Sequence, residues 1–368
     1  MLRNTCGLIL ADDKRIQLGE LSRPRALSAM PFGGRYRIID FALSNMVNSG
    51  IRSVGISTFE KYKSLMDHLG TGSAWDLDRK NNGLSLIPPY VSAEHYSDTS
   101  DDLTGILDYY RDLSEKYIVV MGSNVILNTR FTAMAAAHNE NGADITVAYN
   151  RDGAKGGHPN YILDMSRNER IKGVYHNPLN PISNRSSLGI LYMERQLFVD
   201  TISELISRGT SQVGIDFFLK MYDRYKVFGY EMKETTLRIN STSSYFQETM
   251  RSIDEPVRSA IFWPEMPVFT KVKDEAPAIY AETSKVKGSM VSDGCFIEGE
   301  VQHSLLFRGV TVGEHSKIKN SVIFQDTYVA EGVELENVII DKDCIIRPGV
   351  KLIGQEAYPI VIGKGSVV

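Results

Sequence analysis

A cluster of cations near the start of the chain could bind an anion. Six basic residues and a single acidic one, Glu20, lie between Lys14 and Arg37, although the whole chain has a formal net charge of −4. Cations at this density can bind an anion or present an electrostatic face to a protein partner. They can equally be solvated or paired within the chain, and the sequence leaves these three alternatives open.

Two histidines near the C-terminus could support a different reaction. His303 and His315 lie in a segment whose apolar residues recur every six positions. In acyltransferases built from such repeats, a histidine between coils acts as general base, with coenzyme A alongside. The alternative is that both histidines are solvated groups on turns.

The elements around the basic cluster have the order of an α/β domain. An apolar run at 6–11 predicts a buried parallel strand, and helical spacing at 37–48 predicts a helix ended by Gly50. Further strands are expected at 51–57, 117–121 and 144–149, further helices at 61–69, 100–113 and 130–140, and an added hairpin at 161–165 and 170–175. This alternation predicts a mostly parallel, Rossmann-like sheet with helices on both faces.

The C-terminal third has a shorter period. Val312, Ile318 and Phe324 are six residues apart, and so are Val333, Ile339 and Ile345, with glycines between them. A six-residue period with turn glycines predicts a parallel β-helix. Three hexads per coil would give about four or five coils. A β-sandwich is the alternative, but a sandwich alternates at two residues rather than six.

Length suggests two or three domains, the change of pattern along the chain gives two, and the composition favours a cytoplasmic location. We assign an α/β domain to residues 1–252, and a proline-rich linker with the β-helix to residues 253–368. The prolines at 251–285 are expected to interrupt regular structure there. Three distant cysteines favour a reducing compartment without a cysteine metal site. The pI near 6.0 gives no support for nucleic-acid binding, and the apolar run near the start is too short to cross a membrane.

Long motifs in both halves resemble the ADP-glucose pyrophosphorylase (glucose-1-phosphate adenylyltransferase) family. They are PFGGRYRIIDFALSN at 31–45, GTGSAWDLDR at 70–79, PPY at 88–90, SLGI at 187–190 and NVIIDK at 337–342. The resemblance implies a nucleotidyltransferase-like α/β domain, a left-handed parallel β-helix, tetramers and a role in glycogen synthesis. Catalytic members of the family join ATP and glucose 1-phosphate into ADP-glucose and pyrophosphate, using magnesium.

The family's nucleotide loop is degenerate in this chain. Where the family has Gly-Gly-x-Gly-x-Arg, Asp12 and Asp13 replace two glycines, Arg15 replaces the third and Gln17 replaces the arginine. Two carboxylates beside a triphosphate repel it, by about 1 kcal/mol per charge pair at ~4 Å in water and about 4 kcal/mol near a protein surface. Because a magnesium ion could bridge carboxylates and phosphates, this loss alone does not decide the function.

The metal ligands and the sugar-phosphate lysine of the family are also replaced. Ser123 stands in place of the magnesium-binding aspartate, and Arg238 aligns with the partner aspartate. A serine hydroxyl is a poor substitute for a carboxylate, whereas an arginine could occupy the volume of the missing cation. Asn177 replaces the phosphate-binding lysine and lacks its charge. Leu191 and Gln212 replace a tyrosine and an aspartate of the same pocket.

Three losses together predict a non-catalytic, regulatory subunit of the GlgD type. It would assemble with a catalytic glucose-1-phosphate adenylyltransferase subunit, with magnesium expected only in that partner, and could also self-associate. In the family, phosphorylated effectors bind in basic clefts near the domain junction, so Arg25, Arg35 and Arg37 are the candidate anion ligands. Because Arg35 and Arg37 are two positions apart, one regular element would not aim both alike. The alternatives are a competent adenylyltransferase with a divergent loop and a hexapeptide-repeat acyltransferase.

Overall fold

The N-terminal part of the chain folds around a single mixed sheet. The computed structural model describes residues 1–13, 15–58, 61–79, 82–88, 102–152, 160–209 and 214–368. Lys14, Tyr90, Gln212 and the predicted start of a helix at 100 lie outside these residues. The strands are β1 (Thr5–Leu10), β2 (Pro31–Phe32), β3 (Tyr36–Arg37), β4 (Val54–Ser57), β5 (Leu84–Ile87), β6 (Tyr117–Gly122), β7 (Val125–Ile126), β8 (Ile145–Asn150), β9 (Tyr161–Met165), β10 (Ile171–His176), β11 (Ser186–Glu194), β12 (Val227–Glu231) and β13 (Leu237–Arg238).

Helices lie between these strands and follow them. They are α1 (Ile38–Asn48), α2 (Lys63–Leu69), α3 (Asp102–Arg111), α4 (Thr132–Glu140), α5 (Arg195–Ser207), α6 (Ile215–Leu219), α7 (Thr242–Arg251) and α8 (Glu255–Ile261). The main sheet has the order β12-β8-β11-β6-β1-β4-β5, with the β9–β10 hairpin added to β11. β1 pairs in parallel with β4 and β6, β4 pairs in parallel with β5, and β12 pairs in parallel with β8. The predicted mostly parallel sheet is therefore confirmed, and β11 is its central antiparallel strand.

Helix α1 connects the sheet with the rest of the molecule because it is apolar on several sides. The backbone N–H of Arg37 donates to Asp40 Oδ2 (3.0 Å) at its start, and Gly50 adopts a φ of 93° just beyond its end. Ile39 and Met46 pack in the core under the sheet, whereas Phe41 packs in a second core towards the C-terminal domain. One helix thus fixes the position of the basic segment at its own N-terminus.

The C-terminal part is a parallel β-helix of the hexapeptide type. Its strands are β14 (Ile279–Tyr280), β15 (Lys285–Lys287), β16 (Met290–Val291), β17 (Phe296–Ile297), β18 (Glu300–Gln302), β19 (Leu305–Leu306), β20 (Thr311–Val312), β21 (Lys317–Lys319), β22 (Val322–Ile323), β23 (Tyr328–Val329), β24 (Glu334–Glu336), β25 (Val338–Ile340), β26 (Ile345–Ile346), β27 (Lys351–Ile353) and β28 (Ile360–Ile362). They form three parallel five-stranded faces, which we call the first (β14 to β26), second (β15 to β27) and third (β16 to β28) faces. Five strands per face agree with the predicted four or five coils.

The coils are shorter than three full hexads, and this corrects one detail of the predicted core. Contacting residues on successive coils lie 17 residues apart in the middle of the β-helix. A strict six-residue period therefore falls one position out of register with the strands at each successive coil. Ile346 is buried inside the β-helix, but Ile345, which the period of six placed in the core, is 46% exposed on the first face.

The proline-rich segment at 251–285 is more regular than predicted. Pro256 lies in the first turn of α8, where a missing N–H removes no helical hydrogen bond, so the proline starts a helix instead of breaking one. The amide of Asn128 donates to the backbone oxygens of Ile261 (3.0 Å) and Met266 (2.9 Å). The segment is thus docked on the α/β domain.

The third face of the β-helix packs against the α/β domain. Phe307, Phe324 and Ile339 share a buried core with Tyr245 and Phe246 of α7. In the described parts of the chain, no helix is both long and apolar enough to cross a membrane.

Candidate functional site

The degenerate nucleotide loop is closed by its own side chains. The Arg15 guanidinium pairs with Asp13 (Nη2–Oδ2 2.8 Å) and lies 3.5 Å from Asp216 Oδ1 at the start of α6. It also donates to the Tyr161 hydroxyl of β9 at 2.7 Å. Arg15 therefore ties together the loop, the hairpin and α6, and its charge is already compensated by protein groups.

Asp12 occupies donors that a phosphate would need. Its Oδ1 accepts from the backbone N–H groups of Asp13 (3.1 Å) and Leu27 (3.4 Å). Burial raises the pKa of the Asp12 carboxyl. Gln17 is also held in place, because its backbone pairs with that of Ser241 just before α7. The loop thus satisfies internally the kind of N–H group that cradles phosphates in nucleotide sites.

Arg238, which the resemblance aligns with a metal-binding aspartate of the family, is held by hydrogen bonds to three neighbouring acceptors. Its Nη1 donates to Asn160 Oδ1 (2.9 Å) and Ser186 Oγ (2.9 Å), and its Nη2 donates to the Ser187 backbone oxygen (2.9 Å). Burial lowers the pKa of Arg238 to about 10, so the guanidinium is still cationic at neutral pH. Ser123 Oγ donates to the backbone oxygen of Ala11 (3.0 Å). A fixed cation and a donating hydroxyl do not fit a divalent metal.

No other metal site replaces the lost one among the residues that the structure describes. No group of three or more histidine, cysteine, aspartate or glutamate side chains could hold an ion there. Cys6, Cys295 and Cys344 are free and buried.

Asn177, at the position of the lost lysine, closes the base of the hairpin. Its Oδ1 accepts from the backbone N–H of Asn160 (2.8 Å), and its own N–H donates to the Asn160 oxygen (2.9 Å). Asn160 therefore joins Asn177 to Arg238, and the replacements of the metal and sugar-phosphate ligands form one network. Leu191 is buried in the core of the sheet.

We predict that Arg238→Met destabilises the chain. The change removes a buried donor that serves three acceptors, of which Asn160 Oδ1 keeps its hydrogen bond from Ser186 Oγ, so the free energy of unfolding should fall by about 2–3 kcal/mol. Urea denaturation measures this effect. Arg23→Met is the control, because Arg23 makes an exposed pair with Glu20 (3.4 Å) and should cost almost nothing. Equal costs for the two variants would contradict the role assigned to Arg238.

A second site, the basic cleft, lies at the junction of the two domains. It is a cavity of about 250 Å³ whose described lining includes the cations Arg35, Arg37, Lys271, Lys273, Arg308 and Lys342. His68 also lines it, and Asp67 is the acidic residue in this lining. Cations from both domains thus face one space.

Among the cleft arginines, Arg308 is buried and Arg37 is half-buried. Arg308 is 4% exposed, and its Nε and Nη2 atoms have no hydrogen-bond partner among the described residues. Burial lowers the pKa of Arg308, and neighbouring Arg35 lowers it further. Arg37 Nη1 donates to Ser64 Oγ at 3.0 Å, and burial lowers its pKa to about 10. Buried, unpartnered donors of positive charge are the groups that an anion would satisfy.

The surroundings of Lys342 strongly lower the pKa of its amine. Burial, followed by repulsion from Arg37 and Arg25, lowers the pKa of its amine to about 7. An anion in the cleft would favour the charged ammonium form.

Arg25 lies behind the cleft rather than in its lining. It is 3% exposed, and its Nη2 pairs with Asp341 Oδ1 of the β-helix at 2.9 Å. The structure therefore assigns Arg25 to joining the domains, which corrects its predicted place among the anion ligands. Arg35 and Arg37 both line the cleft, and they do not share one regular element, because Arg35 lies in the turn before β3 and Arg37 is the last residue of β3.

Sequence reasoning missed four of the cleft cations. Lys271, Lys273, Arg308 and Lys342 lie more than 230 positions beyond Arg35 in the sequence, and only the fold brings them to it. Lys342 is the last residue of the motif at 337–342, and this motif is the one sequence signal that points to any of the four cations.

The outer surfaces of the β-helix differ sharply from one another. On the first face, Ile279, Phe296, Thr311, Tyr328 and Ile345 pair in register, and the four apolar members are 37–59% exposed. We call this row the apolar ladder. The second face instead carries ion pairs, such as Lys319 with Glu336 (2.7 Å). Contiguous exposed apolar residues are a feature of protein interaction surfaces.

Comparisons with known proteins agree with this fold. The nucleotidyl transferase family model matches residues 6–252, and the model for a GlmU-like C-terminal hexapeptide region matches residues 276–358. A nucleotidyltransferase domain followed by a hexapeptide β-helix is thus the class of protein that the fold defines. More narrowly, the chain belongs to the ADP-glucose pyrophosphorylase (glucose-1-phosphate adenylyltransferase) family.

Relatives of two kinds support this assignment. The chain is 35% identical over 317 residues to the glycogen biosynthesis protein GlgD of Bacillus subtilis strain 168, a match that covers 85% of this chain and 82% of the relative. It is 31% identical over 327 residues to the glucose-1-phosphate adenylyltransferase of Bacillus cytotoxicus, covering 86% of each chain. The glucose-1-phosphate adenylyltransferase of Bacillus subtilis is 29% identical over 326 residues, covering 86% of this chain and 85% of the relative.

Proposed function

We propose that the chain is a non-catalytic regulatory subunit in glycogen synthesis. It assembles in the cytoplasm with a catalytic glucose-1-phosphate adenylyltransferase and modulates it, and magnesium is needed only by that partner. The observation that carries the proposal is the closed catalytic region. Arg15 and Arg238 occupy it as fixed cations, each compensated by side chains or backbone oxygens of the same chain.

Filling the site in this way opposes catalysis for a physical reason. Magnesium would be repelled by the fixed Arg238 cation, and a triphosphate could use Arg15 only by breaking its pair with Asp13. Among the carboxylates of the loop, Asp12 Oδ1 is bonded to backbone N–H groups and Asp13 is paired with Arg15. No contact in the described site favours a competent adenylyltransferase, and His303 and His315 both lie in left-handed turns (φ 42° and 61°).

The apolar ladder is the surface that we assign to the catalytic partner. Burying four apolar side chains of this size gives a strong driving force, at about 25 cal/mol per Å² of apolar area. Bacillus subtilis has both a GlgD and a glucose-1-phosphate adenylyltransferase that resemble this chain, so two homologues of the family occur in one organism. A second copy of this chain could use the same ladder, which accounts for self-association.

We predict that Tyr328→Asp abolishes co-purification with the catalytic homologue. A carboxylate in the middle of the apolar ladder would be buried without a partner, which should weaken assembly at least about a hundredfold. Gln302→Asp is the matched control, since it adds the same charge on the second face, between Lys287 and Lys319 in the strand register. Affinity capture followed by light scattering measures assembly for both variants. Equal loss, or no loss, in the two variants would refute this interface.

The basic cleft is the site that we assign to a phosphorylated effector. Arg35 and Arg37 come from the α/β domain, whereas Arg308 and Lys342 come from the β-helix. An anion held by both sets links the domains and can shift the partner only if its affinity differs between two states of the assembly.

We expect the purified chain alone to release no pyrophosphate from ATP and glucose 1-phosphate with magnesium. The catalytic homologue is the positive control in the same coupled assay. Pyrophosphate release by the chain alone, at a rate that scales with its concentration, would support the competent-enzyme alternative and overturn the proposal.

A further inference from the structure

Most charged groups in the basic cleft can only donate hydrogen bonds. Arginine and lysine side chains carry N–H donors and no acceptor, and six of them line this cavity of about 250 Å³. They attract any small anion, including one such as sulfate that offers acceptors alone. The acceptors in the lining are therefore the groups that can distinguish one anion from another.

Asp67 is the carboxylate of this lining, and it is accessible to a ligand. It lies in the last turn of α2 and is exposed. Burial lowers the pKa of Arg37, and the negative charges of Asp40 and Asp67 oppose that shift. The Asp67 carboxylate therefore lies close enough to Arg37 to act on an anion that this arginine binds.

The Asp67 carboxylate is not neutralised by a neighbour in the described part of the chain. Lys271 Nζ donates to the backbone oxygen of Asp67 at 2.7 Å rather than to its carboxylate. The side-chain oxygens of Asp67 make no ion pair or hydrogen bond with any other described residue. A carboxylate in the last helical turn also opposes the helix dipole, so stabilising α2 does not explain this residue.

Other lining groups that can accept a hydrogen bond do not repel anions in the same way. His68 contacts Asp40 Oδ1 through its Nε2, and the Gln325 amide both donates and accepts. An ionised carboxylate accepts only, so it repels a ligand oxygen that has no proton to donate. Asp67 can accept a hydrogen bond from a ligand O–H, and that contact replaces the repulsion with an attraction.

We propose that Asp67 makes the basic cleft selective for anions that carry an O–H donor. The cations bind the negative oxygens of the ligand, and its O–H donates to the Asp67 carboxylate. This O–H belongs either to a protonated phosphate oxygen or to an alcohol beside a phosphoryl group. Sulfate has neither and is disfavoured. The inference rests on the assignment of the basic cleft to a phosphorylated effector, proposed above.

Two pairs of anions, compared by calorimetry on the full chain at about pH 8, test the proposal. Inorganic phosphate is then mainly HPO₄²⁻, which has the shape and charge of sulfate but keeps one O–H, so it should bind about tenfold more tightly than sulfate. Glycerol 3-phosphate and ethyl phosphate are both dianions at this pH and differ in their alcohol groups. A preference for glycerol 3-phosphate would assign the donor to the alcohol.

Asp67→Asn tests the carboxylate itself. The variant removes the repulsion and adds an N–H donor, so sulfate should bind about tenfold more tightly, while phosphate should change by less than about threefold. The side chain is exposed, so the variant should fold. Asp108→Asn is the matched control, because it removes an exposed carboxylate from α3, which contributes no residue to the described lining. It should keep the preference of the wild type.

A preference for the O–H-bearing anion in at least one pair, lost in Asp67→Asn, supports the proposal. Equal affinities within both pairs, or a preference that persists in Asp67→Asn, would overturn it but leave the basic cleft as an anion site. No saturable binding of any of the four anions would overturn the assignment of the cleft as well. The regulatory role is tested separately, by the kinetics of the catalytic homologue.

Discussion

Replacing Asp341 by alanine is expected to lower the free energy of unfolding by about 3–5 kcal/mol, because it strands the buried Arg25 guanidinium without a counter-charge. Asp341 is fully buried and pairs with Arg25 at 2.9 Å, across the boundary between the α/β domain and the β-helix. Few other hydrogen bonds stabilise the two charges, since Arg25 Nη1 and Asp341 Oδ2 have no hydrogen-bond partner among the described residues. Urea denaturation, followed by circular dichroism and tyrosine fluorescence, measures the loss.

A double variant distinguishes the loss of the ion pair from the cost of burying one unpaired charge. Arg25→Met with Asp341→Leu replaces both ions by apolar groups, which is often neutral or stabilising, so it should recover most of the stability lost in Asp341→Ala. A cost below about 1 kcal/mol for Asp341→Ala, a value typical of exposed pairs, would show that the ion pair does not hold the domains together.

Sulfate binding to the basic cleft is expected to weaken about tenfold between pH 6 and pH 8. Lys342 has a pKa of about 7 in the free cleft, and a bound anion raises it, so binding takes up a proton. The affinity is therefore greatest below pH 7 and falls as the pH rises through that value. Sulfate suits this test because its own charge is constant over the range, unlike that of phosphate.

Other groups around Lys342 define the controls. Arg35, Arg37, Arg308, Lys271, Lys273, His68 and Asp67 face the same cleft, and Arg25, Asp341 and Lys364 act on Lys342 from behind it. His68 contacts Asp40, so any contribution from the histidine survives in Lys342→Met. Calorimetry on Lys342→Met should show weak binding at pH 6 and a flat pH profile. A profile as steep as that of the wild type would assign the proton to another group, and Arg308→Gln should weaken binding at every pH.

Local patterns predicted the secondary-structure elements. Helix α1 and strand β1 follow from apolar spacing over fewer than a dozen residues, and the β-helix follows from a period that repeats along the chain. The assignment of Ser123, Asn177 and Arg238 as replaced site residues stays a prediction from the motifs, each made at one position. The coil length could not be read as accurately, so Ile345 was placed inside the β-helix instead of on the apolar ladder.

Contacts between distant segments could not be predicted in this way. Arg25 and Asp341 are 316 positions apart, and nothing near Arg25 in the sequence indicates a partner in the β-helix. The replacement at Arg15 showed that a glycine was missing, but not that its guanidinium would bind Asp13, Tyr161 and Asp216. The division of the basic segment is likewise a result of the fold. Arg15, Arg23 and Arg25 are paired within the chain, while Arg35 and Arg37 face the basic cleft.

The most direct test is the kinetics of the catalytic homologue, measured with and without this chain over a range of phosphorylated-effector concentrations. We predict that the co-purified wild-type chain changes the rate, the substrate affinity or the effector response of the homologue. Arg308→Gln should still co-purify with it but lose the part of the response that depends on effector. A homologue whose rate, substrate affinity and effector response are all the same with the chain bound as without it would contradict a regulatory role.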